Sequence, residues 1–291
     1  MKKSVIAILS AFALVSLVSC MKDAPAAVAP AEGEVAFTVG GEGIISTEVE
    51  TRTSVVESLS SFHVGAVTGT AGSSETEAWN AVFSGGPTYT GGKFWPSTNP
   101  NYTFYASSLD MTASRTGYTV SATNATDVVC AYLPNPGFKA VNKLVFEHVF
   151  ARLGEVTVTA AENYSLSNIS ITVTPKTGGT YNLFTGAGKT DGTGWSSTTN
   201  GSATGIANAT PGTKSNDIYL VPGTYTLTAS WTATRGDSVQ QFTGKTQTVS
   251  LVGGKVNRLT TTLGGSASEI EFTVEVTPWG EVTVPVSFST E

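Results

Sequence analysis

The sequence predicts an all-β protein built of two antiparallel β-sandwich domains. Three observations lead to this prediction: short segments of alternating apolar and polar residues, abundant glycine, and little charge. Only 13% of the 291 residues are charged and 31 are glycine; average globular proteins carry about 25% charged residues. Segments rich in β-branched residues and separated by glycine turns favour strands over helices. The length suits two domains of roughly 100–200 residues each.

Alternation with a period of two is clearest in the second half of the chain. In residues 155–159 (EVTVT) valine alternates with polar residues, and residues 225–231 (YTLTASW) repeat the pattern. One face of each such strand is expected in a core and the other in water, as in stacked antiparallel sheets. No segment shows a long helical period.

The domain boundary is predicted near residues 140–150, and the second domain is taken to begin at residue 141. Residues 144–148 (LVFEH) read as a strand that leads into a second sandwich. The N-terminal sandwich is therefore expected over residues 34–140 and the C-terminal sandwich over residues 141–291. Residues 186–213, rich in Gly, Ser, Thr and Asn, are expected to form a long surface loop in the second domain.

The first twenty residues have the layout of a secretory signal. Lys2 and Lys3 precede an apolar run over residues 5–18, which is too short for an ordinary membrane-spanning helix. Residues 17–20 (LVSC) resemble the lipobox of bacterial lipoproteins, which is cut just before its cysteine. An ordinary cleaved leader with a chance cysteine is the alternative.

The lipobox interpretation assigns a role to each part of the N-terminus. Residues 1–19 would be the lipoprotein signal peptide, and Cys20 would carry acyl chains such as palmitate. Several chains together anchor a protein firmly, whereas one chain binds marginally. Residues 20–33 contain an Ala/Pro-rich stretch that cannot build a core, and they are expected to act as a tether.

Composition argues against several function classes. The net charge is −6 and no basic stripe exists, which gives a nucleic-acid role little support. If Cys20 is lipidated, Cys130 has no disulfide partner and is expected to be a buried thiol. His63 and His148 both lie in strand-like segments, as structural histidines do. We therefore expect no catalytic site, no metal site and no cofactor.

Four local motifs have both a functional and a structural interpretation. Residues 186–190 (GAGKT) end like a phosphate loop, but Leu183 stands where that motif needs a glycine. Residues 235–238 (RGDS) resemble an integrin ligand and are expected at a hairpin tip, while residues 237–239 (DSV) resemble an O-glycosylation sequence of some anaerobic Gram-negative bacteria. The aromatic residues of 94–95 and 102–105 would stack on sugars if exposed and form core if buried.

Three further segments carry a resemblance to Bacteroides-type fimbrillins, the type V pilins. Residues 94–96 (FWP) with 102–105 (YTFY) are similar to their "FWP…YTFYA" segment. Residues 146–153 (FEHVFARL) resemble their "F-x-H-x-x-A-R/K-L" strand, and residues 274–279 (VEVTPW) resemble the closing "V-x-x-W" strand. With the lipobox and the Thr-Arg-Thr at 51–53, these motifs follow the family order over most of the chain after residue 34.

The resemblance implies a fold and a way of assembly. Fimbrillins are lipoproteins of the outer membrane with two transthyretin-like β-sandwich domains, and an arginine-preferring protease removes their first strand. A strand of the next subunit then fills the exposed groove. Carried onto this sequence, the removable strand is residues 34–39, and the cut follows Arg52. The donor strand would come from the C-terminal segment 269–288, and its inward side chains would be Val282, Val284, Val286 and Phe288.

The leading interpretation is thus a structural subunit of a surface fimbria that supports cell adhesion. Its partners would be other pilin subunits, in a homopolymer or a heteropolymer, and the outer membrane before processing. The sequence identifies no host or bacterial receptor. The alternative is an unprocessed outer-membrane surface lipoprotein that binds glycans or anchors a pilus, in which Arg52 is a plain surface arginine.

Lipidation can be tested directly at Cys20. Replacing the thiol that would carry the lipid, in Cys20→Ala, should abolish labelling of the protein by a fatty-acid analogue in growing cells. The variant should accumulate as uncleaved or soluble protein. Labelling at the wild-type level in Cys20→Ala would refute the lipoprotein assignment.

Overall fold

The computed structural model describes residues 33–41, 59–86, 88–96, 101–123, 125–138, 141–207, 211, 218–265 and 270–279. These residues form nineteen strands and one short helix, which confirms the all-β prediction. No helix in these ranges has the length and apolarity needed to cross a membrane.

In chain order the elements are β1 (Glu34–Gly41), β2 (Ser61–Thr70), β3 (Ser74–Gly85), β4 (Tyr89–Phe94), β5 (Thr103–Ser107), β6 (Thr112–Ser114), β7 (Gly117–Thr123), β8 (Val129–Leu133), β9 (Val141–His148), β10 (Ala151–Ala160), β11 (Ser165–Val173), β12 (Gly178–Asn182), α1 (Leu183–Gly186), β13 (Trp195–Ser196), β14 (Thr204–Gly205), β15 (Ile218–Leu220), β16 (Gly223–Arg235), β17 (Ser238–Leu251), β18 (Lys255–Leu263) and β19 (Phe272–Pro278).

The N-terminal sheet closes into a seven-stranded barrel in the order β1-β4-β3-β2-β5-β8-β9. Its pairs are antiparallel except that β1 runs parallel to β9. Strand β9, expected from the sequence to lead into the second sandwich, pairs with β1 and β8 in this barrel. A second domain that begins at residue 141 would therefore separate β9 from the sheet in which it pairs. The chain changes sheet after His148, when β10 begins at Ala151.

The second half builds two four-stranded sheets, β15-β10-β18-β19 and β14-β11-β16-β17. Their apolar faces share one core, in which Trp231, Leu259 and Ile171 are almost completely buried. The alternation predicted from the sequence is visible in β16, where Tyr225, Leu227, Ala229 and Trp231 are buried and their neighbours are more exposed. This half is therefore a β-sandwich.

A fourth sheet, β13-β12-β7-β6, joins strands from the two halves, because β7 pairs with β12. Beneath it lies a separate core cluster that draws Tyr105 and Tyr118 from the first half and Phe150 and Tyr181 from the second. The Tyr118 ring lies against Gly65 of β2, where an added Cβ would come within 2.2 Å of the ring. The two halves thus share a hydrophobic core.

Two tyrosines of this shared core donate hydrogen bonds to carboxylates of β3. Tyr105 Oη donates to Glu75 Oε1 at 2.5 Å, and Tyr118 Oη donates to Glu77 Oε2 at 2.5 Å. Burial, followed by the hydrogen bond to the carboxylate, raises the pKa of both tyrosines far above the ordinary value, so both stay protonated donors. Glu75 is 7% exposed, whereas Glu77 is open to solvent.

This difference in burial yields a prediction. Tyr105→Phe removes a donor from a buried carboxylate and should lower the free energy of unfolding by about 1.5–3 kcal/mol. In the matched variant Tyr118→Phe, water can replace the lost donor at Glu77, and the loss should be only about 0.5–1.5 kcal/mol. Urea unfolding of the two variants measures both values. Equal losses, or a larger loss in Tyr118→Phe, would contradict the account.

Candidate functional site: the groove of the first strand

Strand β1 fills a groove in the barrel between β4 and β9. Its inward side chains Val35, Phe37 and Val39 are completely buried. Phe37 lies between Phe83 and Phe104, with ring centroids 5.1 Å away on both sides and ring planes at 69° and 82°. These edge-to-face contacts add to the burial of a large apolar surface. Phe37 is the main side-chain anchor of β1.

The backbone pairing of β1 is less regular than its side-chain packing. Along β9 it makes a parallel ladder of six partner positions, from Ala36–Val141 to Gly41–Phe146. Along β4 the antiparallel register shifts between Glu34 and Ala36. Parallel pairing is slightly less stable per residue than antiparallel pairing. Strand β1 is therefore held more by its apolar side chains than by regular backbone ladders.

The beginning of β1 is fixed by contacts with β4 and the residue after it. Trp95 donates its backbone N–H to Gly33 O at 2.9 Å, and Gly92 donates its N–H to Glu34 Oε1 at 3.1 Å. The Trp95 ring packs on Tyr102 and Phe104 and is 7% exposed. Of the aromatic residues that the sequence left open, Trp95 thus belongs to the core, while Phe94 is 54% exposed.

Trp279, the last described residue, follows strand β19. Strand β19 forms an edge of its sheet and pairs with β18 over seven positions, from Lys255–Pro278 to Thr261–Phe272. The Trp279 ring stacks on the ring of His148, with centroids 4.0 Å apart, and on the ring of Tyr219, with centroids 5.8 Å apart. The Arg152 guanidinium lies 5.8 Å from the centre of the Trp279 ring. The start of the C-terminal tail is therefore held where the barrel meets the sandwich.

Both histidines have carboxylate neighbours. His148 Nδ1 lies 2.6 Å from Asp127 Oδ2, and both side chains are almost completely buried. His63 Nδ1 lies 3.4 Å from Asp110 Oδ1 on an exposed side chain. With Trp279 stacked on its face, His148 is part of the packing at the junction. Among the described residues, no group of three or more His, Cys, Asp or Glu side chains is arranged to hold a metal ion.

The unpaired cysteine of the first half, Cys130, is a buried free thiol, as its sequence context predicted. Burial raises its pKa to about 12, and the Ser107 hydroxyl only partly opposes that effect. The thiol is therefore protonated at neutral pH, the less reactive form of a cysteine.

The two loop motifs have clear structural settings. Helix α1 ends at Gly186, the first residue of the 186–190 motif, and Gly188 donates its N–H to Glu147 Oε2 at 3.0 Å. The Glu147 carboxylate thus accepts a backbone N–H that a phosphate loop would offer to a bound phosphate. Residues 235–238 form the predicted hairpin tip, with Arg235 paired to Ser238 and Gly236 at a φ of +57°. Such a φ favours glycine.

The sequence-predicted site residues fall in different places. The removable strand predicted at 34–39 is β1, whereas Cys20, Arg52, Val282, Val284, Val286 and Phe288 lie outside the described residues. Of the predicted donor segment 269–288, the part over Phe272–Pro278 is β19 and pairs within its own chain. Sequence analysis did not single out Asn142. The sign that could have pointed to it is a polar residue at an inward-facing position of β9.

Comparisons with known proteins agree with this architecture. A family model described as fimbrillin-like matches residues 47–279. A fimbrial protein of Bacteroides vulgatus is similar in structure, with a TM-score of 0.52 at 13% identity over 75% of this chain and 92% of that chain. A candidate cell adhesion protein of Parabacteroides distasonis has a TM-score of 0.54 at 11% identity over 87% and 98%. No curated protein matches in sequence.

The anchoring role of Phe37 yields a prediction. Phe37→Ala should lower the free energy of unfolding by about 3–5 kcal/mol, because it leaves a cavity between two aromatic rings. The matched variant Phe94→Ala removes the same side chain from an exposed position on the adjacent strand and should change the value by less than about 1 kcal/mol. Urea unfolding measures both. A Phe37→Ala variant as stable as Phe94→Ala would contradict the described packing of β1.

Proposed function

Because this chain belongs to the fimbrillin-like family, we propose that it is a structural subunit of a surface fimbria, exported as a lipoprotein and polymerised by strand exchange. Its role is structural and adhesive rather than catalytic. The observation that carries the proposal is the way β1 is held in the barrel. Three of its side chains are completely buried, while its backbone pairing is irregular on one side and parallel on the other.

The proposed path starts at the membrane. Cys20 holds the precursor in the outer membrane through its acyl chains, and residues 20–33 act as the tether. A protease then cuts after Arg52, in the connection between β1 and β2. After this cut, β1 is joined to the subunit only by noncovalent contacts, and it can leave with the lipid.

The departure of β1 makes a binding site. Burial of Val35, Phe37 and Val39 stabilises the fold by about 1.5–3 kcal/mol for each side chain. Their loss therefore leaves an empty apolar groove and removes several kcal/mol of stabilisation. The same event leaves β4 and β9 as unpaired strand edges, which bind an extended chain readily. Strand addition to such a sheet combines backbone pairing with side-chain pockets.

The proposed donor is the C-terminal tail of another subunit. Val282, Val284, Val286 and Phe288 alternate with other residues and would present one apolar face. Because Trp279 is packed at the junction of barrel and sandwich, the tail begins from a defined position on the subunit. A subunit thus has a groove in its barrel and a donor strand that starts from its sandwich.

A second candidate function is glycan binding by an unprocessed surface lipoprotein, which could also anchor a pilus. The observation in its favour is a pair of exposed aromatic side chains, Phe94 and Phe138, at 54% and 64% exposure. The Phe138 ring lies 5.5 Å from Trp95. Binding of the intact protein to a glycan array, lost in Phe94→Ala and Phe138→Ala, would support this function over polymerisation.

Polymerisation is tested by controlled trimming. An arginine-specific protease should convert purified monomers into oligomers that resist detergent, because a whole strand must be unpaired and its apolar face exposed before subunits separate. Arg52→Ala should stay monomeric, and so should a chain that ends before Glu281. The measurement is a detergent gel with mass spectrometry of the new N-terminus.

The control is another arginine that the protease could reach. Arg235 lies exposed at a hairpin tip, so Arg235→Lys should still form the ladder after trimming. If wild-type protein cut after Arg52 remains a monodisperse monomer at high concentration, the strand-exchange function is refuted.

A further inference from the structure

We propose that Phe288 of a second copy of this chain takes the place of Phe37 in the barrel groove, and that Thr290 of the same tail hydrogen-bonds the buried side-chain amide of Asn142. The inference rests on the proposed function and names the residues that select the incoming strand. In this account β1 is an imperfect occupant of its own groove, and the tail of a neighbour is a better one.

Asn142 is the observation from which the inference starts. It lies on β9, where it shares the inward register with Leu144 and Phe146 and alternates with the exposed residues Val141 and Lys143. Its residue exposure is 3%. Within the described residues, neither Nδ2 nor Oδ1 of its amide has a hydrogen-bond partner. A buried amide without partners is costly, which points to an occupant that would satisfy it.

Strand β1 cannot supply that partner. Asn142 is the direct neighbour of Phe37 in the parallel ladder. The two residues at the diagonal positions on the same face of β1 are Val35 and Val39, and diagonal neighbours in a sheet lie about 7–8 Å apart, somewhat less between their Cβ atoms. All three are apolar, so the inward face of β1 offers no hydrogen-bonding side chain to the Asn142 amide.

The tail repeats the inward pattern of β1 with one polar change. On alternating positions, β1 reads Val35, Phe37, Val39, and the tail reads Val286, Phe288, Thr290. Aligned on the phenylalanine, Phe288 would enter the space between Phe83 and Phe104 that Phe37 now fills. Threonine has nearly the shape of valine, so Thr290 fits a valine position and adds a hydroxyl.

The match does not depend on the direction in which the tail enters. Because valine positions lie on both sides of Phe37, Thr290 replaces Val39 in one direction and Val35 in the other. Both positions are diagonal neighbours of Asn142 once Phe288 stands at Phe37. In either case the threonine hydroxyl can meet the amide while the phenylalanine fills the aromatic space.

Pro285 of the tail is also compatible with both directions. With Phe288 at the position of Phe37, Pro285 falls at the position of either Glu34 or Gly40. Glu34 adjoins the register shift against β4, and the partner positions of β1 along β4 end at Phe37. Proline lacks the N–H needed for a ladder bond and is tolerated where pairing is irregular or absent on one side.

The test uses a chain that ends before Glu281, so that no tail of a second copy competes with the peptide. It is cut within the segment that joins β1 to β2, with β1 still seated and fluorescently labelled. A peptide of residues 280–291 should displace β1. A Thr290→Val peptide should bind about tenfold more weakly, which corresponds to one hydrogen bond of about 1.4 kcal/mol. A Phe288→Ala peptide should not compete.

The matched chain variant is Asn142→Leu, which removes the amide at similar volume. On this chain the natural and Thr290→Val peptides should bind equally, or the valine peptide more tightly. In the intact, uncut protein, Asn142→Leu should raise the midpoint of thermal unfolding, because the unsatisfied amide is gone. A lower midpoint would overturn the inference, since it would mean that Asn142 is already satisfied with β1 in place.

The outcomes distinguish a failure of this inference from a failure of the proposed strand-exchange function. If the natural peptide displaces β1 but the Thr290→Val penalty is absent, or is the same on Asn142 and Asn142→Leu chains, strand exchange stands and the role of Asn142 fails. If no peptide displaces β1 under conditions that keep the cut chain folded, the proposed function and this inference fail together.

Discussion

The insertion of Phe37 between Phe83 and Phe104 is the interaction on which the rest of the N-terminal barrel depends. It anchors β1, and β1 is the strand that joins β4 to β9 and closes the sheet. Its backbone ladder is parallel on one side and irregular on the other, so the barrel is closed by side-chain burial more than by regular pairing. The proposed strand exchange therefore calls for an incoming strand that carries an equivalent aromatic anchor.

The body between the groove and the tail is continuous. The sheet β13-β12-β7-β6 and the core beneath it combine strands from both halves, and Trp279 packs on His148 at the same junction. Tension on the tail would therefore reach the sandwich through β19 and the barrel through the shared core. A load-carrying filament needs such continuity, because a subunit is only as strong as the connection between its acceptor and its donor.

The strands were largely predictable from the sequence, whereas their partners were not. Alternation in β16 and the turn residues at 235–238 are local signals, and the structure confirms both. The place of β9 could not be read from its alternation, which shows that one face is buried but not which sheet it joins. The parallel pair of β1 and β9 joins residues about a hundred positions apart, which local patterns do not reveal. Asn142 stands out only once its inward direction is known.

The most direct measurement is mass spectrometry of the protein's N-terminus in two fractions from cells, purified surface fimbriae and outer membranes. The account predicts that fimbrial protein begins at Thr53 and lacks every peptide of β1, while membrane-bound precursor begins at a lipidated Cys20 and retains β1. Fimbrial protein that still contains the β1 sequence would contradict the claim that the first strand is exchanged.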